Sequence, residues 1–507
     1  FSRYVLRGTI HIGQNNRIFF AQNRISHRIG QFEKYMSVRL NTTLVVLVAV
    51  TLIQLGCERD RYDRAARISA IPGAPPVPNA YRPVDYCQWL AEESSRGKTE
   101  SDGGIYDGYW GKWSTDNGDP CGIPEPDEEI ANLLRSLRCG PVWEGAQYPR
   151  LEAYLTRIGA HMSVFARATD RPRFLLRLPC DDVKGFPYNL ALPIGFSRCI
   201  GVEVLLAEAW RRHPSQASQM LVAWRRCLQH AIHLESCPSL LAVVAGNKAR
   251  QWVYQSMRAA AVQGILSEAE LKTAIDTLHR CAFDERHFRD AVRGDWGTGL
   301  GFLQRFFPKG VLDREFCKQV QVSADAVLRF DSSFTSLVRV VDQHYADTCE
   351  IVAQPLSIDA YRLLERKEKE REQGELGKHP VLNAVLPAMS GAMLECLRCL
   401  SAERATELVL RMCSHRMGKG TWAADLKDVL DGSSEVLLMD PLSKSPYVYR
   451  AGSPLPFLYS VGEDGVDNGG TPGCTVPRGK ILRSGDYVFC PADFGKSQGA
   501  FQIPADP

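Results

Sequence analysis

From Asp127 to about Gly374 the apolar residues recur at helical spacing, three and four apart, and not in strand-like alternation. The clearest start is Ser267-Glu268-Ala269-Glu270. There a serine hydroxyl can take the first free N–H groups while the glutamate reaches back, and Leu271, Ile275 and Leu278 follow on one face. The same periodicity predicts helices over Tyr148–Ala168, Gly201–Arg212, Ser215–Leu234, Pro238–Gln263 and Ser323–Val352. Their short connections imply antiparallel packing of successive helices. No fixed repeat runs through them. Gly297-Thr298-Gly299-Leu300-Gly301 reads as a turn, and the charged stretch Glu365 to Lys378 as a solvated helix end or hinge. A further helix is predicted over Val381–Ser414, with Val385, Met389, Met393, Leu397 and Leu400 at helical spacing. After it the period changes: Tyr447-Val448-Tyr449 and Phe457-Leu458-Tyr459 are short aromatic, β-branched runs bounded by Asp440-Pro441, Ser445-Pro446 and Gly462, and read as two strands. The expectation is a mainly α chain, a large multi-helical body followed by a small α+β C-terminal module with a short antiparallel sheet.

Gly462, Gly465, Gly469 and Gly470 punctuate an acidic loop that carries Glu463, Asp464 and Asp467. Carboxylates in a glycine-rich turn that brings backbone carbonyls inward are the donors a hard cation such as calcium prefers. The twelve-residue EF-hand spacing is not met. The same residues also describe an acidic hairpin loop without metal. The order Asp440-Pro441, Pro446-Tyr447-Val448-Tyr449, Tyr459-Ser460-Val461-Gly462 and Asp464-Gly465 resembles the C-terminal part of major pseudopilins of type II secretion. The resemblance spans roughly residues 380 to 493. Gly420-Thr421-Trp422 followed by Leu426 resembles the end of a pseudopilin helix and the turn after it. The resemblance implies a calcium ion held by side-chain and main-chain oxygens in the loop after Tyr459-Ser460, with Asp464 matching and Asp467 as a further ligand; the composition of the loop adds Glu463 as a metal candidate. Pseudopilins place a processing site and a long apolar helix directly before this domain; here that place holds Glu365 to Glu372. The module behind a long helical region also resembles a type of bacterial envelope protein of uncharacterised role.

The N-terminus changes the picture of location. From Met36 a short segment with Arg39 leads into an apolar run, Leu44 to Leu55, and then Gly56-Cys57. That is the plan of a signal peptide, too short for a comfortable span. Its ending resembles a lipoprotein signal, in which Cys57 is lipidated, with Gln54 departing from the usual leucine. A short uncleaved anchor is the other reading. The division predicted is residues 1–35 as non-native upstream sequence, 36–57 as signal peptide with the lipidation cysteine, 58–126 as tether and loop-rich region, 127–374 as helical domain and 380–507 as the pseudopilin-like module. Ile71 to Pro83, with five prolines, reads as the tether. Localisation would be the bacterial envelope, periplasm-facing or extracellular, and membrane-anchored.

With 507 residues, 45% of them apolar and 23% charged, the chain has the material for two or three globular domains. Seven of its 61 Lys and Arg and one of its 58 Asp and Glu fall in residues 1–56, so the remainder is slightly acidic and offers no footing for nucleic acid. Sixteen cysteines fit an exported chain. Cys474 and Cys490 are the first disulfide candidates, Cys121 with Cys139 the second.

The search for chemistry yields little. Cys227, His230, His233 and Cys237 share a helical face, yet the outer two are about 15 Å apart along a helix, and core packing is the plainer reading. Cys396 and Cys399, in mid-helix, also read as core. Gly418-Lys419-Gly420-Thr421 lacks the upstream glycine of a phosphate loop, and neither His-Glu-x-x-His nor Gly-x-Ser-x-Gly occurs. Tyr106, Tyr109, Trp110 and Trp113 lie in a polar loop that closes over its own small core or offers a binding platform. The functional expectation is a non-catalytic, envelope-anchored protein of structural or interaction role, with membrane attachment through the N-terminus and a protein partner in the envelope. Two alternatives stand beside it: a secretion-apparatus component that binds pseudopilins, and a hydrolase whose site lies between the helical body and the aromatic loop from Tyr106 to Trp113, a cleft there gathering those aromatics with Asp181, Asp182 or His161.

Overall fold

Most helix starts are written locally, as side chains that accept the first free N–H groups. In the computed structural model Asp127 accepts from Ile130 N and opens α1, Glu128–Leu137. Helices α2 (Pro149–Thr169), α3 (Ile200–Ala209), α4 (Gln216–Glu235) and α5 (Leu240–Val262) follow. The capping box of Ser267 and Glu270 opens α6, Glu268–Arg280. Asp284 opens α7, Glu285–Phe306. After α8 (Arg314–Gln319), Ser323 opens α9, Ala324–Leu328, and Ser333 opens α10, Phe334–Val352. Ser357 opens α11, Ile358–Gln373. Helix α12 (Pro380–Val385) and the long α13 (Met389–Lys419) complete the helices among the described residues. Described are residues 126–140, 142–170, 200–211, 216–236, 239–319, 322–330, 333–374, 379–430, 435–452, 454–472, 474–475, 481–483 and 485–490. The signal segment, Cys57, the proline-rich tether and the aromatic loop lie outside them.

The chain is mainly helical, with a small antiparallel sheet of three strands in the order β1 (Val448–Arg450), β2 (Phe457–Ser460), β5 (Tyr487–Cys490). Tyr449 pairs with Leu458 on one side of β2, and Ser460 with Tyr487 on the other. Strands β3 (Cys474–Thr475) and β4 (Ile481–Arg483) form a separate antiparallel pair. Among the described residues no helix is long and apolar enough to cross a membrane.

Three expectations are corrected. The single helix expected over 323–352 is two, because Ser333 takes Ser336 N and restarts the helix after Arg329. The helix expected over 381–414 breaks at Leu386, which is extended because it precedes Pro387. The glycines from Gly297 to Gly301 do not make a turn; they lie inside α7. A Cβ on Gly299 would come within 3.2 Å of Val385 Cγ1 and 3.4 Å of the Tyr345 ring, so the missing side chain sets how closely α10 and α12 approach.

The core is continuous from Ile130 in α1 to Cys490 in β5. Its axis is the pair α5 and α13, flanked by α4 and α6. The long helix of the C-terminal region therefore shares one interior with the helical body. Gly246 lets α4 and α5 meet: a Cβ there would sit 2.7 Å from Glu235 Cγ and 2.8 Å from the Ala231 carbonyl oxygen. A second buried set, Phe288, Trp296, Leu300, Phe306, Val341 and Tyr345, lies between α7 and α10.

Neither central helix caps itself. Ala388, before α13, has no side chain to do so, and Ser239, before α5, makes no cap bond. A neighbour does it in each case. Glu368 of α11 is buried and accepts from Met389 N at 2.7 Å, from Ser390 N at 3.1 Å and from the Ser390 hydroxyl. Within the charged run expected to be solvated, Glu368 is thus an anchor, a carboxylate on the positive end of a helix. We expect Glu368→Ala to lower stability by about 1–3 kcal/mol, the cost of two orphaned amides and a hydroxyl, read as a lower urea midpoint at unchanged m.

Asp295 of α7 does the same for α5, accepting from Leu240 N at 3.3 Å. Burial pushes its carboxyl up to about 7, against the lowering pull of the Leu240 and Ser239 hydrogen bonds. Burial also pushes Glu203 up to about 7, ahead of the opposing pull of Arg138. Such groups hold protons in the folded chain that the unfolded chain has released, so their own contribution to stability falls as pH rises from about 4 through 7 and is level above, while His230 and His344, whose rings burial holds below the usual range, contribute in the opposite sense. Asp295→Asn is expected to flatten that slope in urea titrations across this range; an unchanged slope would assign it to other groups.

Candidate functional site

The residues that stood out in the sequence meet at a hub between α13 and the three-stranded sheet. A helix ending in Gly420, in left-handed conformation with φ +75°, turns the chain back so that β2 and β5 can lie against α13. Asp440 is 1% exposed, and each of its carboxylate oxygens accepts two bonds. Oδ1 takes the Ser401 hydroxyl at 2.6 Å and Leu442 N at 3.1 Å. Oδ2 takes the Ser443 hydroxyl at 2.9 Å and the Ser460 hydroxyl at 2.5 Å. That fills the roughly four acceptor positions of a carboxylate. The Asp-Pro and Tyr-Ser halves of the motif are thus one contact. Tyr447 adds a bond from its hydroxyl to the Ser401 carbonyl at 2.9 Å; burial first, then Asp440, push its phenol well above the usual range. Ser460 Oγ also accepts from Gly462 N, whose φ of +76° starts the acidic loop.

In that loop each predicted metal residue has protein partners. Glu463 pairs with Arg398 of α13 at 2.7 Å and accepts from the Tyr487 hydroxyl at 3.0 Å, while its carbonyl accepts from Arg362 of α11. Asp464, exposed, accepts from Val466 N at 3.0 Å. Asp467 Oδ1 accepts from the Tyr459 hydroxyl at 2.9 Å and Gly469 N at 2.8 Å; the Gly469 bond first, then the Tyr459 bond, hold its carboxyl below the usual range. Asp486, buried and not foreseen, closes the far side by accepting from Asn468 N at 3.0 Å and Gly470 N at 2.6 Å. Its only mark in the sequence is the Gly485-Asp486 turn before the aromatic run of β5. Gly470 is held at φ +82° with a Cβ position 2.1 Å from the Phe457 ring, so no side chain fits there. Glu463, Asp464 and Asp467 are not gathered into one ligand set, and among the described residues no group of three His, Cys, Asp or Glu side chains is. Glu463 is engaged by Arg398 and Tyr487, and Asp464 and Asp467 by backbone amides of the loop.

Cys474 lies in β3, in the separate strand pair, whereas Cys490 is buried at the end of β5 facing Arg258 of α5. Cys139 is a buried thiol, and Cys121 lies outside the described residues. In α4, Cys227 packs against the Val202 carbonyl, His230 lies edge-on to Phe165 and His233 bonds Gln229; all three are buried. Cys237 lies outside the described residues, as do the loop from Tyr106 to Trp113, Asp181, Asp182 and the side chain of His161. Cys396 and Cys399 are fully buried in α13, and burial pushes both thiols up. A shallow groove at the first turn of α1 is lined by Asp127, Glu129 and Arg150, and Arg150 is paired with both carboxylates. The hub itself is chemically closed, because Ser460 is 1% exposed and its hydroxyl is committed to Asp440. No protein-family model, curated protein or solved structure matches the chain.

Proposed function

We propose that this is a non-catalytic protein of structural or interaction role, anchored at the cell envelope through Cys57, whose C-terminal module is a platform fixed onto the helical body. The observation that carries the reading is the saturation of Asp440: the hub that joins the C-terminal strands to α13 spends its buried polar groups on internal bonds. Arg362 and Arg398 tie the acidic loop to α11 and α13, which gives the platform a fixed orientation on the body. Envelope attachment is supported by the apolar run from Leu44 to Leu55 before Gly56-Cys57. Pseudopilin binding through the module is a narrower form of the same proposal.

The test is fractionation of cells expressing the full chain with and without Cys57→Ser, combined with crosslinking from the module surface. Membrane association lost in the variant, together with a discrete crosslinked partner, is the expected result. A chain that stays in the soluble fraction with Cys57 intact and crosslinks to nothing would overturn it.

On this reading the acidic loop keeps its shape by its own hydrogen bonds. Thermal unfolding with excess calcium and with excess EDTA is expected to give coinciding curves. A bound ion would separate them, by about 2.7 kcal/mol at a hundredfold excess over its dissociation constant. A calcium-dependent rise in Tm that disappears in Asp464→Ala would place the ion in the loop after all.

A further inference from the structure

The acidic loop contains an Asn-Gly pair, Asn468-Gly469, and a carboxylate placed on the nitrogen that matters for its chemistry. An asparagine followed by glycine is the pair most open to attack by the next backbone nitrogen on the side-chain amide, because glycine puts no side chain in the way. Here Gly469 is exposed, sits at φ +69°, and has nothing within 4 Å of where a Cβ would stand. Its N–H donates to Asp467 Oδ1 at 2.8 Å. The Asn468 amide is oriented by a bond from Nδ2 to the Val466 carbonyl at 3.0 Å.

We infer that Asn468 is a self-modification site, in which Asp467 acts as the base for succinimide formation by the Gly469 nitrogen. The Gly469 nitrogen forms a bond to Asn468 Cγ as its proton passes to the Asp467 carboxylate. The Cγ–Nδ2 bond then breaks, the departing nitrogen takes that proton, and ammonia leaves. Water opens the resulting ring at either carbonyl, giving aspartate or isoaspartate at position 468, with no oxidant or reductant involved. The bonds from Gly469 N and then the Tyr459 hydroxyl hold the Asp467 carboxyl below the usual range, so it is ionised at neutral pH, as the role requires. The product alters the loop at its closure. Isoaspartate lengthens the backbone by one methylene between Asn468 N and Gly470 N, the two groups held by Asp486, and either product adds a carboxylate beside Asp467 and Asp486. The loop would thereby lose its lock on Phe457 with age, without an enzyme.

The full-length chain is incubated at neutral pH and physiological temperature, and peptide mapping resolves Asn, Asp and isoAsp at position 468. The other Asn-Gly pair, Asn117-Gly118, serves as reference in the same sample. Conversion at Asn468 is expected to be at least as fast in the folded chain as in guanidinium, and its rate to be flat across neutral pH where a hydroxide-driven rate climbs. Asp467→Asn, which keeps an acceptor for Gly469 but is no base, is expected to slow Asn468 severalfold and leave Asn117 unchanged. Tyr459→Phe, which removes the other bond to Asp467, is expected to leave the rate in place. Slower conversion in the folded chain than in guanidinium, or a rate in Asp467→Asn that is unchanged or raised, would overturn the inference by showing that the carboxylate merely pins the amide.

Discussion

Arg250→Met is expected to destabilise the chain by about 3–5 kcal/mol, the cost of leaving one half of a buried ion pair without the other. Arg250 is fully buried in α5 and bridges Glu235 of α4 through two bonds, at 2.6 and 2.8 Å. Its third nitrogen donates to the Cys281 carbonyl and to the Tyr254 hydroxyl, and Tyr254 in turn donates to Glu403 of α13. Burial works against the guanidinium charge, and Glu235, ahead of Tyr254, more than offsets it. Removing Arg250 leaves the Glu235 carboxylate in the interior without its cation. The pair Arg250→Met with Glu235→Leu removes both charges, and most of the loss is expected to return, because a buried ion pair is often no better than apolar packing of similar volume. Urea unfolding of the two variants beside the parent settles it. A single variant within about 1 kcal/mol of the parent, the range of exposed pairs, would mean that water reaches Glu235.

Asp440→Ala is the second large effect expected, a loss of about 3 kcal/mol or more. Three hydroxyls and one amide lose their acceptor at once, and the Ser401 and Ser460 hydroxyls are buried on both sides of the hub. Asp440→Asn keeps one carbonyl oxygen and should cost less, about 1–2 kcal/mol. The loss should be concentrated in the module. Amide exchange should speed up at Gly462 and through β2 and β5, while α2 to α4 keep their protection. Uniform loss of protection along the chain would instead make the hub part of a single cooperative unit with the helices, as the shared core also allows.

These two variants mark where the sequence is legible and where it is not. The capping box at Ser267 and Glu270, and the Gly420 stop of α13, are local signals, and the helix boundaries follow them. The two strands of aromatic and β-branched residues lie in the sheet as Val448–Arg450 and Phe457–Ser460. The structure departs from the local signals where packing overrides them. Gly297 to Gly301 looked like a turn because glycine usually marks one; in α7 Gly299 serves contact with Tyr345 and Val385, which periodicity does not show. Glu368 looked solvated because its neighbours in sequence are charged, yet it faces α13 and fills a cap that Ala388 cannot provide.

The candidate site divides in the same way. Asp440, Tyr447, Ser460 and the acidic loop were legible as a motif, because turns and strands are short-range. That Asp440 bonds Ser460, that Glu463 faces Arg398, and that Asp486 closes the loop were not legible, since each joins residues that only the packed sheet and α13 bring together. The sequence by itself determined the helices, their local caps, the change to strands near the C-terminus and the glycines that shape the loop, all consequences of backbone sterics and of hydrogen bonds within a few residues. Only the tertiary structure decided which carboxylates are buried and what they hold. A buried charge takes its partners from whatever surfaces the core brings against it, and that assignment has no period in the sequence.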